Sequence, residues 1–213
     1  TSFMYADVLK NTKTVSYDTF ALAAKDMLNG NADYLFVDKT TAKSLQKEIA
    51  GLKIIEIALS SENYGIGIDK NQPELKTQID QILVDKADEI NAIKEKYMNG
   101  EEDKYVGVTS GTKDGSKAAQ QLVVATNAEF APWEYKEGTQ FFGIDMEIAK
   151  LFADELGLEL VIDDMDFDAA LLAVQQGKSD IVMAGVTVTE DRKLVMNFSD
   201  SYATGVQVVI VKE

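Results

Sequence analysis

Ile181-Val-Met-Ala-Gly-Val-Thr-Val-Thr-Glu-Asp-Arg192 decides how this chain is read. Ile181, Val182 and Met183 have the character of a short apolar strand. The segment then opens through Ala184-Gly185 into hydroxyls at Thr187 and Thr189 and a guanidinium at Arg192. Gly185 has no Cβ, so a ligand can approach its backbone closely. Thr187 offers a hydroxyl donor and acceptor, and Arg192 a planar fork of donors that matches a carboxylate. A strand end followed by these three groups is a place to hold a small anion. For an arbitrary string of this kind, a strand, a loop and a surface arginine is the better bet. The rest of the chain shifts the odds.

Outward from this stretch, strand patterns alternate with helix patterns. On its carboxyl side stand a helix-forming Glu190 to Leu194, Phe198-Ser-Asp-Ser-Tyr202, and a last strand from Val206 to Lys212. On its amino side the spacing predicts a strand Leu122 to Thr126, then a loop Asn127 to Gln140 holding Phe130, Pro132, Trp133 and Tyr135. An amphipathic helix Gly143 to Leu156 is closed by Gly157, a strand runs from Leu158 to Ile162, and a helix Phe167 to Gln176 is closed by Gly177. The first half reads likewise. Thr1-Ser2 can cap a helix Phe3 to Lys10. Thr14 to Tyr17 is β-like, and a helix starts at Asp18 or Thr19 and ends at Asn29-Gly30. Tyr34 to Val37 is a buried-looking strand that delivers Asp38. Thr40 to Ile49 is helical, and Leu52 to Leu59 and Tyr64 to Ile68 are strands. Pro73 opens a long amphipathic helix to about Tyr97, broken near Val84-Asp85. Residues 98–121 are polar and Gly-rich and read as linker, with a strand-like island at Tyr105 to Val108. This alternation predicts an α/β fold with largely parallel sheets.

Composition narrows the function. The chain has 213 residues, 46% of them hydrophobic, enough for one domain or two small ones. Lys and Arg number 21 against 36 acids, a net charge of −15, which argues against nucleic acid or anionic membrane as partners. Neither Cys nor His is present, which excludes structural zinc, thiol catalysis and Ser-His-Asp catalysis. No apolar run of membrane-spanning length and no signal peptide are visible, so a soluble segment is expected. No cofactor or metal is called for.

Several stretches together resemble one known family, the type II periplasmic binding proteins for polar amino acids that serve ABC importers. Leu122-Val-Val-Ala-Thr-Asn-Ala-Glu-Phe-Ala-Pro-Trp-Glu-Tyr135 resembles the family's opening strand and aromatic loop. Phe142-Gly-Ile-Asp-Met-Glu-Ile-Ala149 resembles its following helix start. Met165-Asp-Phe167, Ala184 to Arg192 and Phe198 to Tyr202 follow at the family's spacing. The order of the whole differs from the family's. A closing helix like Pro73 to Tyr97 precedes the opening strand, which looks like a circular permutation, natural or engineered (as for a sensor scaffold), or like a cut from a tandem receptor. Val106-Gly-Val-Thr-Ser-Gly-Thr112 resembles the strand that should run into Thr1.

The resemblance implies a two-lobed, Venus-flytrap fold. One lobe would comprise 64–97 and 122–201. The other would comprise 1–59 and 205–213, with 105–112 left open as its completion. Residues 98–121 would be linker, and hinges would lie near 60–63 and 202–205. An amino acid would lie between the lobes. Arg192 and Thr187 would take its carboxylate, aided by the amides at Thr1 and Ser2. Asp38 and the Gly185 carbonyl would take its ammonium, and Phe130 and Phe167 would sandwich its side chain. Taken alone, Asp38 could instead cap the helix that follows, a reading ranked second, and Phe167 would more often be core. Trp133 and Tyr135 read as loop packing. Asn127 and Glu129 fall where the family varies its recognition. Glu129 favours arginine or lysine, and Asn127 keeps glutamine and cystine open; a solvated loop acid is nearly as good a reading of Glu129. The resemblance further implies a non-enzymatic, monomeric receptor outside the cytoplasm, periplasmic or lipid-anchored, with permease membrane subunits as partners. The alternatives are a small-acid dehydratase on the same fold, for which no perturbed acid pair is visible, and a receptor's ligand-binding domain.

Overall fold

A computed structural model describes residues 2–7, 9, 11–114 and 120–213. It separates the chain into two units, Thr1–Asn63 with Thr204–Glu213, and Tyr64–Ala203. The chain passes from one unit to the other within the strands Glu62–Tyr64 and Ala203–Gly205.

In the first unit, the Thr19 hydroxyl accepts the Leu22 N–H at 3.1 Å and so starts the helix Phe20–Leu28, satisfying one of the amides a helix start leaves bare. The apolar face of that helix and that of Lys39–Glu48 supply Ala24, Met27, Ala42 and Leu45 to a core completed by Val37, Leu52, Val208 and Ile210. The sheet order is Tyr34–Asp38, Gln207–Lys212, Leu52–Ile55. The expectation of parallel pairing fails here. Gln207–Lys212 is the central strand and runs antiparallel to both neighbours. It enters from the other unit and not over a helix, so the crossover rule that makes strands parallel does not act on it. Thr14 to Tyr17 forms no strand, and the strand expected over 52–59 stops at Ile55. The first helix is Ser2–Asp7.

The second unit is built on a five-stranded mixed sheet. Its order is Asn197–Phe198, Gly67–Ile68, Ile181–Val182, Gln121–Thr126, Glu159–Asp164. The last three run parallel, with Ile181 opposite Val124 and Val124 opposite Ile162. Gly67–Ile68 runs antiparallel to both of its neighbours. The helix Ile144–Leu156 joins the parallel strands Gln121–Thr126 and Glu159–Asp164 and buries Ile144, Ile148 and Phe152 among Leu122, Val124 and Leu160. Burying each such side chain is worth about 1.5–3 kcal/mol. The helix expected over 73–97 is two, Pro73–Asp85 and Ala87–Asn99, parted at Lys86. The aromatic loop contains a small antiparallel sheet, Glu129–Phe130, Glu134–Glu137 and Gln140–Phe142.

Residues 98–114 are not a plain linker. The Tyr105 ring stacks on Tyr97 with centroids 4.0 Å apart. The Val106 N–H donates to Glu147 Oε1 at 3.0 Å, beside the Tyr97 hydroxyl at 2.6 Å on the same oxygen. Val108 forms a β-bridge with Phe141, and the Ile162 N–H donates to Ser110 Oγ at 2.8 Å. Residues 105–112 therefore pack on the second unit and do not complete the sheet of the first. Val108 enters the core of that unit, and its N–H and carbonyl both pair with Phe141.

Candidate functional site

Ile181–Val182 is a strand of the second unit with both residues fully buried, and Met183 and Ala184 continue into the interior. The chain leaves the sheet at Gly185, which has φ +52°. A Cβ there would lie 2.6 Å from Phe130 Cε1 and 3.5 Å from Tyr64 Cε2. Both the backbone angle and the space demand glycine, because side-chain-bearing residues adopt that region only with strain. Phe130 thus lies directly over the backbone at Gly185.

Two residues on, Thr187 is buried and forms a bridge with Tyr64. Thr189 then caps the short helix Glu190–Val195 by accepting the Arg192 N–H at 3.3 Å. The cap fixes the first turn, and this turn brings Arg192 back over the loop. Arg192 Nη1 donates to the Thr187 carbonyl at 2.8 Å, and its guanidinium carbon lies 5.3 Å from the Phe167 ring centroid. A cation over a ring face is held electrostatically, and the stacking orients the plane of the fork. Arg192, Thr187, Gly185, Phe130 and Phe167 therefore come together on one unit.

Asn127 stands beside them. Its Nδ2 donates to the Met165 carbonyl at 3.2 Å, two residues from Phe167. Glu129 is exposed and its backbone pairs with Tyr135. Alternation along the strand turns it to the face opposite Phe130. Trp133 is core, edge-on to Tyr64 at 5.0 Å.

The remaining expected site residues belong to the first unit. Asp38 is buried and is the N-cap of Lys39–Glu48. Its Oδ1 accepts the Thr40 N–H at 2.8 Å and also the Thr40 hydroxyl, and its Oδ2 accepts the Val206 N–H at 3.1 Å. The capping role, ranked second from sequence, is the one the structure displays: a carboxylate at a helix start meets bare amides within its own turn. Ser2 begins a helix of only six residues, and its hydroxyl donates to Gln207 Oε1 at 2.8 Å. Thr1 lies outside the described residues.

Beneath Gly185 lies a group that sequence reading missed. Asp145, wholly buried, accepts the Gly185 N–H on Oδ2 at 2.9 Å and the Tyr202 hydroxyl on Oδ1 at 2.7 Å. The equally buried Glu134 hydrogen-bonds Asp145. Burial raises the Asp145 carboxyl to about 6, and the bonds from Gly185, Tyr202 and Glu134 hold it from going higher. Burial, and then the charge of Asp145, raise Glu134 well above the carboxylate range. Two acids this close do not both ionise, so Glu134 keeps a proton. A perturbed acid pair is present after all. It sits below the loop and is inaccessible to a substrate.

The profile of the bacterial extracellular solute-binding proteins, family 3, matches residues 122–213, which hold every member of this cluster. That segment, somewhat less than half of the chain, carries the family's pattern. The family-3 segment is similar to the arginine-binding extracellular protein ArtP of Bacillus subtilis, 38% identical over 104 residues, 49% of this chain and 40% of ArtP. A probable histidine-binding protein of Neisseria gonorrhoeae is 39% identical over 89 residues, 41% of this chain and 33% of that protein. Among solved structures, the arginine-bound form of domain 1 from TmArgBP is 33% identical with a TM-score of 0.39, covering 48% of this chain and 87% of that one. The chain thus spans less than half the length of these two curated relatives. The named relatives are in the main binding proteins. Within the family-3 segment the acid pair was traceable: Glu134 and Asp145 both stand in the quoted motifs, each flanked by apolar residues, a pattern that calls for buried partners.

Proposed function

We propose that this protein is a receptor that captures a basic L-amino acid, arginine or lysine ahead of glutamine or cystine, without converting it. It delivers the ligand to the membrane subunits of an ABC importer from outside the cytoplasm. The observation that carries this reading is the convergence of Arg192, Thr187, Gly185, Phe130 and Phe167 on one loop and its walls. In this reading Arg192 pairs the ligand carboxylate in bidentate fashion with Thr187 beside it. The Gly185 carbonyl accepts from the ammonium, and the two rings take the side chain between them. The printed name of ArtP supports arginine as the first ligand to try. We also read residues 1–97 as the family's closing half standing before its opening half, on the motif order alone.

Melting the protein with a panel of amino acids tests the receptor reading. A bound ligand adds about 2.7 kcal/mol at a hundredfold excess over its dissociation constant, so binders stand out. Arginine and lysine should raise the melting temperature with no product formed. No response to any amino acid would remove the receptor reading, and consumption of the amino acid would favour an enzyme. A chain rebuilt in the family's order, with 105–112 running into Thr1, should bind the same amino acid; loss of binding there would reject the permuted order.

A further inference from the structure

We propose that Asp145 is a positioning residue whose two carboxylate oxygens tie the ligand loop, at Gly185, to the segment by which the chain leaves the second unit, at Tyr202. The unit ends at Ala203, one residue beyond Tyr202. One oxygen takes the Gly185 amide at 2.9 Å and the other the Tyr202 hydroxyl at 2.7 Å. A carboxylate is a rigid plane, so neither contact can shift without moving the other. Bonds to an ionised acceptor are also the stronger kind. A second path runs beside the first. The Tyr202 N–H donates to the Tyr64 carbonyl at 3.2 Å, and Tyr64 is bridged to Thr187, two residues past Gly185. The Tyr202 carbonyl in turn accepts from Lys94 Nζ at 2.9 Å. Exit segment and loop thus share two fixed points.

Glu134 gives Asp145 its third partner and holds the proton of the pair. One of its oxygens, Oε2, has no hydrogen-bond partner among the described residues. Among the described residues the other titratable groups that bear on the pair are Asp164 and Tyr202, and Tyr64 bears on Tyr202. An ionised Asp145 can serve three donors at once. A second proton on the pair removes acceptor capacity and weakens both grips together.

The inference rests on reading Gly185 to Arg192 as the ligand loop, but its decisive tests need no ligand. Amide exchange and nitrogen–proton NMR spectra of the 213-residue chain are compared with those of Tyr202→Phe, which keeps the ring and removes only the hydroxyl. The Gly185 amide should exchange about tenfold faster in the variant, although the lost hydroxyl bonds Asp145 and not Gly185. On acidification the Gly185 and Ala203 resonances of the parent should follow one midpoint, near the pH of about 6 at which Asp145 takes its proton. Asp145→Asn should shift both resonances and abolish that titration. If it does not fold, Tyr202→Phe and the parent titration still decide. A Gly185 amide indifferent to Tyr202→Phe, or separate midpoints for the two resonances, would overturn the tie. Adding L-arginine to the parent should shift Gly185 and Ala203 together. Failure of every amino acid to bind would remove the proposed function and leave the ligand-free result standing, whereas binding that shifts Gly185 alone would overturn the tie and keep the function.

Discussion

The guanidinium of Arg192 lies over the ring of Phe167, 5.3 Å from its centroid, while Nη1 is bonded to the Thr187 carbonyl. An arginine held on a ring face and by one backbone acceptor is oriented before any ligand arrives. Preorganisation of this kind lowers the ordering cost of binding.

Arg192→Ala should therefore abolish amino-acid binding and leave the fold intact. The residue is half-buried on a six-residue helix and contributes little to the core. Losing a charge-assisted contact while the partner charge stays buried costs about 2–5 kcal/mol, or at least about thirtyfold in affinity. Arg192→Lys should keep the charge but lose the fork, and recover only part. Calorimetry with L-arginine checks both. Unchanged affinity in the alanine variant would show that the carboxylate is bound elsewhere.

Gly185→Ala should destabilise the second unit as well as weaken binding. Its φ of +52° costs a side-chain-bearing residue about 1–2 kcal/mol, and the new Cβ meets Phe130 Cε1 at 2.6 Å. For a chain of this size that is a fall in melting temperature of about 2–8 °C. Adding Phe130→Ala should relieve the clash but not the backbone strain, so the double variant should lose less than the two single losses added. Strict additivity would mean that the ring does not lie over this glycine.

The elements legible in the sequence are those fixed by local chemistry. Thr19 and Thr189 announce helix starts, and Gly157 ends a helix, because each acts on amides or carbonyls within one turn. The candidate loop is legible for the same reason, since Gly185, Thr187 and Arg192 are close in sequence. What escaped depends on distant partners. Val108 finds Phe141, and Ser110 finds Ile162, across gaps that periodicity does not span. The antiparallel course of Gln207–Lys212 follows from where the chain enters, not from its pattern of residues. Asp38 was read for its place at a strand end, and the helix it caps begins at the very next residue. Asp145 was quoted as part of a motif, but nothing in the motif says that Glu134, eleven residues earlier on another element, shares its proton.

That shared proton fixes a pH dependence. Burial raises Asp145 to about 6 from an ordinary 3.8, and burial together with the charge of Asp145 raises Glu134 well above its own ordinary value. The folded chain therefore holds protons that the unfolded chain has released. These two groups stabilise the fold fully below about 4, and that contribution is lost as the pH rises through about 6 for Asp145 and through the raised value of Glu134. Glu134→Gln removes the second acid and leaves an amide donor for Asp145. The melting temperature of the variant relative to the parent should climb steadily from about pH 5 to about pH 8. A constant difference across that range would mean that Glu134 is not a buried acid in solution.

Ligand charge is the last expectation, and the structure changes its basis. The resemblance sets Glu129 where the family varies its recognition, with a solvated loop acid nearly as good a reading, and strand alternation sets it on the face opposite Phe130, exposed to solvent. At that position it acts on a cationic tip only through water, where ion pairs are worth about 0–1 kcal/mol. Arginine and lysine should still bind more tightly than glutamine. Glu129→Gln should narrow that gap by no more than about fivefold, and the narrowing should shrink further in salt, whose screening length is about 8 Å at physiological strength. Calorimetry with arginine, lysine, glutamine, cystine and glycine, at low and physiological salt, measures each term. Collapse of the preference in Glu129→Gln would put that side chain against the ligand and contradict the strand register. Tighter binding of glutamine than of arginine by the parent would reject the basic ligand while sparing the receptor, whose case rests on Arg192, Thr187 and Gly185.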